Sequence, residues 1–159
     1  MILLANPVLP HSTGEITLAS NDPTASPVIK MNYFADPHDL KVMVAIMRKA
    51  LEIAENWPGE TKPGALNVPP ELARKHGYVT GQTPSDALLE NMALHYSTTV
   101  YHLCSTCRIG DVVSADLTVN GVGKLRVADA SVMPDIISGN TNAAAIMIGE
   151  KAADLIKAA

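Results

Sequence analysis

The strongest constraint on the fold is the stretch "ADPHDLKVMVAIMRKALEIAEN", residues 35–56. Asp36 can cap free backbone N–H groups, Pro37 suits the first helical position, and Asp39 adds negative charge near the positive helix end. Apolar residues then recur at helical spacing, at Leu40, Val44, Met47, Leu51 and Ala54. This pattern predicts a helix over residues 37–55.

Three other segments carry local signals. Residues 13–20, "TGEITLAS", alternate apolar and polar side chains, which predicts a half-buried strand, and "VIKMNYF" (28–34) is typical of a short extended run. A second helix is predicted to begin at Thr83, with Pro84 at its first position and apolar side chains at Leu88, Leu89 and Met92. The proline- and glycine-rich stretch between the helices, residues 57–82, predicts an irregular loop.

The last third of the chain predicts a hairpin and a helix. Two short apolar runs flank Asn120-Gly121, a dipeptide that favours a tight turn. The final stretch, residues 143–159, is interrupted by only one helix breaker, Gly149. Its positions Ile146, Gly149, Ala153 and Ile156 share one face, and their small members allow close backbone packing.

Length and charge limit the classes of function. With 159 residues, 47% of them hydrophobic, the chain can form one core, so residues 1–159 are predicted to be one domain. A net charge of −4 without a like-charge block gives no basis for binding nucleic acid. We also expect no membrane span and no signal peptide. Two cysteines favour a reducing compartment, so we expect a cytoplasmic protein.

The stretch "YHLCSTCRIG", residues 101–110, raises a choice between metal, redox and packing roles. His102, Cys104 and Cys107 give three ligand types, but a closed zinc site needs a fourth and only His95 is near, so no metal is predicted. A thioredoxin-like pair opens a helix, whereas Gly110 closely follows this one. Packing of two small thiols is favoured, and His102 is either a core residue or a catalyst.

A second polar cluster stands before the final helix. Asn140, Thr141 and Asn142 lie where the free N–H groups of that helix need partners. They either cap the helix or leave its positive end aimed at an electron-rich group. Upstream, Asp129 and Ala130 are typical of a strand end followed by a turn.

Together the two stretches resemble the C-terminal region of the glucose-methanol-choline (GMC) oxidoreductases, which are flavoenzymes that oxidise alcohols. The pattern Y-H-P-V-G-T-C-R-M-G is kept here except that "LCS" replaces "PVG" and Ile109 replaces Met. The patterns L-R-V-x-D-A-S-x-M-P and N-x-N-A are matched at residues 125–134 and 140–143. Residues 11–54 are also similar to the family, so the likeness covers most of the chain.

The resemblance implies an α+β fold with a mostly antiparallel sheet and flanking helices, in which residues 125–159 return to pack on the FAD-binding domain. The dinucleotide fingerprint G-x-G-x-x-G is not found, because Gly121-Val122-Gly123 leads into a strand-like run. We therefore expect the C-terminal portion of a longer enzyme, lacking the Rossmann-like FAD-binding half. Alone, it is expected to retain no flavin and to self-associate.

The resemblance also implies the chemistry, in which FAD is the cofactor and a small alcohol is the substrate. His102 matches the general base that removes the hydroxyl proton while a hydride goes to flavin N5. Asn140 matches the residue that holds the substrate oxygen, a His–Asn pairing that looks like the choline-dehydrogenase branch.

Four further residues match the family's flavin contacts. The resemblance places Asn142 and Ala143 near the N1–C2=O side of the flavin, and Asp129 and Ala130 near its ribityl and diphosphate region. The same scaffold also serves hydroxynitrile lyases, which is one alternative function. Another is a truncated product that binds a partner or nothing.

Overall fold

Helices form most of the regular structure in the computed structural model, which describes residues 3–59 and 64–159. The elements, in chain order, are β1 (Glu15–Thr17), β2 (Val28–Lys30), α1 (Pro37–Glu55), α2 (Pro70–His76), α3 (Asp86–Tyr96), a 3-10 turn (Ala130–Val132) and α4 (Asn142–Lys157). The described chain divides into two compact units. One holds residues 3–14 and 31–98, apart from 60–63, and the other holds residues 15–30 and 99–159.

In the first unit, α1 has the bounds that its sequence predicts. The Asp36 side chain accepts a hydrogen bond from the backbone N–H of His38 at 2.8 Å, and Pro37 is the first helical residue. The helix ends at Glu55, and the N–H of the next residue, Asn56, donates to the carbonyl of Glu52. Local capping chemistry therefore defines both ends of this helix.

The helix α3 begins later than predicted. Ser85 Oγ accepts a hydrogen bond from the N–H of Leu88 at 3.2 Å, so Ser85 is the N-cap and the helix starts at Asp86. The predicted start at Thr83 and Pro84 is wrong. Ser85 caps the helix instead, because it lies three residues before Leu88 and its hydroxyl can accept the N–H of that residue. Leu88 and its neighbour Leu89 are fully buried in this unit.

The helix α2 lies within the stretch 57–82 that was predicted to be irregular. Pro70 occupies its first turn, Leu72 is buried, and Gly77 ends it with φ +61°. A left-handed residue is the usual way to close a helix, and glycine adopts it without strain. Pro70 and Gly77 are a start signal and a stop signal for a helix, but the seven residues of α2 are too few to show a helical periodicity. Residues 60–63 of the predicted loop lie outside the described part.

In the second unit, β1 and β2 pair as an antiparallel ribbon. The register is Glu15 with Lys30, Ile16 with Ile29 and Thr17 with Val28. Lys30 Nζ lies 2.6 Å from Glu15 Oε1, which adds an exposed ion pair to the first rung. Both predicted extended segments form, but the first is not half-buried as its alternation indicates, because Ile16 is 53% exposed and Leu18 is 86% exposed. With the helices, this ribbon confirms the predicted α+β class with antiparallel strands.

The predicted hairpin around Asn120-Gly121 forms a turn but no continuous ladder. Isolated bridges join Val113 to Val119 and Thr118 to Arg126. Leu117, directly before Thr118, has a left-handed backbone (φ +66°), a conformation that a regular strand does not contain. The side chains of Val113 and Leu117 nevertheless enter the core of this unit, which consists of Val113, Leu117, Val132, Met133, Ile148 and Ala152.

The final helix, α4, buries a different face from the one that its small residues indicate. Ile148 and Ala152 are buried in the core of the second unit. By contrast, Ile146 and Ile156, on the predicted packing face, are 59% and 57% exposed. The helix is apolar on more than one side, so periodicity alone could not identify the buried one. No helix of the described residues has the length and apolar character required to cross a membrane.

Candidate functional site

A side-chain contact within the second unit joins the two sequence motifs. Thr141 Oγ1 lies 3.1 Å from His102 Nδ1, although the residues are 39 positions apart in the chain. His102 is half-buried, and Thr141 is only 8% exposed. The imidazole is therefore held at the start of α4.

Backbone hydrogen bonds hold the histidine-bearing segment in place. The N–H groups of alternate residues donate to the 3-10 turn, with the pairs Ser105 to Ala130 (3.3 Å), Cys107 to Ser131 (2.8 Å) and Ile109 to Val132 (3.0 Å). The turn itself is capped by Asp129, whose carboxylate accepts from the N–H of Ser131 at 2.8 Å. The 3-10 turn thus provides the three carbonyl acceptors that align residues 105–109.

Arg108 stabilises the same segment, a role that sequence reasoning did not assign. Its Nε donates to the carbonyl of Ser105 at 3.2 Å and so closes a turn in which Ser105 has φ +70°. The Arg108 carbonyl accepts from the N–H groups of Val112 and Val113. Arginine therefore connects the turn before it with the loop after it.

The two cysteines are half-buried free thiols. Cys104 packs against the core of the second unit, and its Sγ accepts a hydrogen bond from Ser105 Oγ at 3.3 Å. Within residues 3–59 and 64–159, no group of three His, Cys, Asp or Glu side chains is arranged to hold a metal ion. The contacts of Cys104 agree with a packing role.

The start of α4 has no side-chain cap. Thr141 occupies the N-cap position but makes no hydrogen bond to a helix N–H. The first intrahelical bond runs from the N–H of Ala145 to the carbonyl of Thr141, at 2.9 Å. Asn142 and Ala143 are exposed, so the leading N–H groups and their partial positive charge face outward.

The predicted site residues fall into two groups. Asn140 and Asn142 flank Thr141 in the chain, so they lie with Ala143 at the helix start to which His102 is bound. Asn140 is exposed, and no hydrogen bond joins it to His102 in the described chain. Asp129 and Ala130 lie elsewhere, at the 3-10 turn.

The residue that links the site, Thr141, was considered from sequence only as a possible cap. Its position before a helix gave no sign that its hydroxyl turns towards a histidine. Only the tertiary fold brings residues 39 apart within hydrogen-bond distance. The available signal was the hydroxyl itself, which must find a partner when it is buried.

Comparison with known proteins gives a consistent result. The family model described as GMC oxidoreductase matches residues 10–149. An uncharacterized GMC-type oxidoreductase of Mycobacterium tuberculosis is 41% identical over 156 residues, which are 94% of this chain and 28% of that protein. Choline oxidase of Arthrobacter globiformis is 40% identical over 163 residues, covering 94% of this chain and 27% of the enzyme.

A solved structure agrees with these relatives. The chain is similar to formate oxidase of Aspergillus oryzae, in a structure determined to study FAD modification, with a TM-score of 0.74 and 31% identity. The match covers 94% of this chain and 25% of that one. The chain thus spans about a quarter of the length of the proteins it matches.

Proposed function

Because this chain belongs to the GMC oxidoreductase family, we propose that it is the C-terminal catalytic portion of a FAD-dependent oxidoreductase that acts on the CH–OH group of a small alcohol. The observation that carries the proposal is the contact between His102 and Thr141, which holds an imidazole at an uncapped helix start. A proton acceptor and an anion-stabilising group are the two functions that alcohol oxidation requires of the protein.

His102 acts as the general base in this proposal. Its Nδ1 is engaged by the Thr141 hydroxyl, so Nε2 is the atom that receives the proton of the substrate hydroxyl. Imidazole suits this step because it can exchange a proton near neutral pH. Asn140, exposed next to Thr141, holds the substrate oxygen by donating its amide N–H.

The start of α4 fits the cofactor. Bound FAD would supply the acceptor for the substrate hydride, and its N1–C2=O side would need stabilisation of negative charge. The exposed N–H groups of Asn142 and Ala143 stabilise negative charge there, because no side chain caps them. At the 3-10 turn, the Ala130 carbonyl already accepts from Ser105 and Met133, so the Ala130 N–H would be the backbone group that contacts the ribityl and diphosphate region. Asp129 holds this turn in shape.

The remaining FAD contacts come from a flavin-binding portion against which residues 125–159 pack. Support for this partner comes from the apolar side chains that the second unit leaves exposed, at Tyr101, Leu103, Ile146, Met147 and Ile156. A contiguous exposed apolar patch marks an interaction site, and we propose that these side chains form one. The 159-residue chain alone is therefore expected to self-associate, which light scattering measures; a clean monomer at high concentration would contradict this.

The test is anaerobic reduction of the flavin by an alcohol in the complete enzyme. His102→Ala is expected to slow reduction by roughly 10² or more, because the general base is lost. The control His95→Ala removes an exposed histidine of α3, whose ring contacts the carbonyl of Asn91 at 2.8 Å, and should leave the rate unchanged. Flavin absorbance first confirms that each variant is loaded.

Two results would contradict the proposal. Unchanged reduction in His102→Ala would remove the base assignment. A flavin that no alcohol bleaches, in an enzyme that cleaves a cyanohydrin, would instead identify a hydroxynitrile lyase.

A further inference from the structure

We propose that Thr141 is a positioning residue that sets the tautomer and the ring orientation of His102. The inference rests on the proposed role of His102 as general base and extends it to a residue without a role of its own in the sequence motifs. Thr141 acts through the histidine and does not itself touch the substrate.

The first support is that the Thr141 hydroxyl does not cap its helix. A threonine at an N-cap normally accepts a hydrogen bond from the second or third N–H of the helix. Thr141 makes no such bond, and its Oγ1 lies 3.1 Å from His102 Nδ1 instead. The hydroxyl is therefore committed to the histidine.

The second support is the burial of Thr141 between exposed neighbours. Asn140 and Asn142 are exposed, whereas Thr141 is buried. A buried hydroxyl needs a partner, and a half-buried imidazole in contact with it loses rotational freedom. The contact thus restrains the χ2 rotation that would put Cδ2 in the place of Nδ1 and Cε1 in the place of Nε2.

The third support is the position of the proton in the hydrogen bond between His102 and Thr141. In a neutral imidazole, one ring nitrogen donates and the other accepts. If Nδ1–H donates to Thr141 Oγ1, the lone pair is on Nε2, where a substrate proton can be received. When Nε2 then takes the proton, the bond from Nδ1–H to Oγ1 is kept and nothing needs to rearrange. We infer this donor direction for the resting enzyme.

The experiment compares Thr141→Val and Thr141→Ser in the complete, flavin-loaded enzyme. Valine has nearly the shape of threonine but no hydroxyl, while serine keeps the hydroxyl. Thr83→Val, at an exposed threonine of the first unit, is the matched control. Two quantities are measured: the tautomer of His102 from ¹⁵N NMR of enzyme with labelled histidine, and the rate constant of anaerobic flavin reduction.

The expected result is a wild-type His102 protonated on Nδ1 and a mixture of tautomers in Thr141→Val. Reduction should slow about 10- to 100-fold in that variant. This is the size of effect seen when the hydrogen-bond partner of a metal-bound histidine is removed. Thr141→Ser should restore both the tautomer and the rate, and Thr83→Val should change neither. A purely structural role for Thr141 would not change the tautomer.

Two results would overturn the inference. One is a wild-type His102 protonated on Nε2, which can be read even if the valine variant does not fold. The other is Thr141→Val with an unchanged tautomer and rate while His102→Ala is strongly impaired. If His102→Ala itself reduces flavin normally, the proposed function fails instead, and the NMR result still reports on the contact.

Discussion

The helices α1 and α4 both begin with a polar residue that can cap them, yet only α1 is capped. At α1, Asp36 accepts the N–H of His38 at 2.8 Å, and its carbonyl accepts the N–H of Asp39 at 3.1 Å. At α4, the hydroxyl of Thr141 turns to His102, and the first N–H groups remain open. A typical side-chain cap stabilises a helix by about 1 kcal/mol, and α4 lacks this contribution.

The difference indicates that the two helix starts serve different purposes. A closed start stabilises the fold of its own unit. An open start keeps its partial positive charge available for an anionic ligand. Changes at the start of α1 should therefore alter only the free energy of unfolding, whereas changes at the start of α4 should alter the midpoint potential of the bound flavin.

The closed start of α1 also anchors the segment before β1. Asp39 is buried, and its two carboxylate oxygens accept the N–H groups of His11 at 2.8 Å and Ser12 at 2.7 Å. Burial raises the pKa of this carboxyl, but hydrogen bonds from Ser12 and His11 together outweigh it and hold the pKa below the ordinary value of 3.8. A pKa lowered by folding stabilises the protein above that ordinary value, and the contribution is lost as the pH falls through the folded pKa.

The largest expected effect is therefore at Asp39. Asp39→Ala leaves two N–H groups without their acceptor, so the free energy of unfolding should fall by about 3 kcal/mol. Urea denaturation of the complete enzyme measures it, with Glu90→Ala, an exposed helical carboxylate, as the control. The difference between wild type and Asp39→Ala should shrink as the pH falls through the folded pKa of Asp39, because the part of the stabilisation that depends on its ionisation is then lost. Equal stability of the two variants at neutral pH would show that α1 is not anchored in this way.

A smaller effect is expected from removing the cap itself. Asp36→Ala should destabilise α1 by about 1 kcal/mol, since the N–H of His38 loses its acceptor. Hydrogen exchange in the first turn of α1 should accelerate about fivefold, with flavin reduction unchanged. A protected first turn in this variant would mean that the cap contributes little, and α1 and α4 would then differ less than the geometry indicates.

The sequence predicts the bounds of α1, which the structure confirms, and it fails where tertiary contacts decide. The bounds of α1 follow from Asp36 and Pro37, which act on their own neighbours. Short α2 was missed, because seven residues carry little periodicity. The buried face of α4 could not be identified, since apolar residues occupy several of its sides.

At the candidate site, too, local sequence patterns could be recognised and tertiary contacts could not. The two motifs identify His102 and the start of α4 through local patterns. The role of Arg108 depends on a carbonyl that only the folded turn presents. The Thr141–His102 contact spans 39 positions, and no local rule relates such distant side chains.

The most direct test of the contrast between the two helix starts is the midpoint potential of the bound flavin in Asn142→Asp. A carboxylate at the open start should stabilise α4 through the helix dipole, yet it should oppose negative charge on the reduced flavin. We predict a potential lower by about 20 mV, the equivalent of about 1 kcal/mol for a two-electron couple. Asn67→Asp, at an exposed position of the first unit, makes the same charge change and should leave the potential unaltered. A potential in Asn142→Asp that is equal to the wild-type value, or higher, with flavin fully bound, would contradict the claim that the start of α4 faces the flavin.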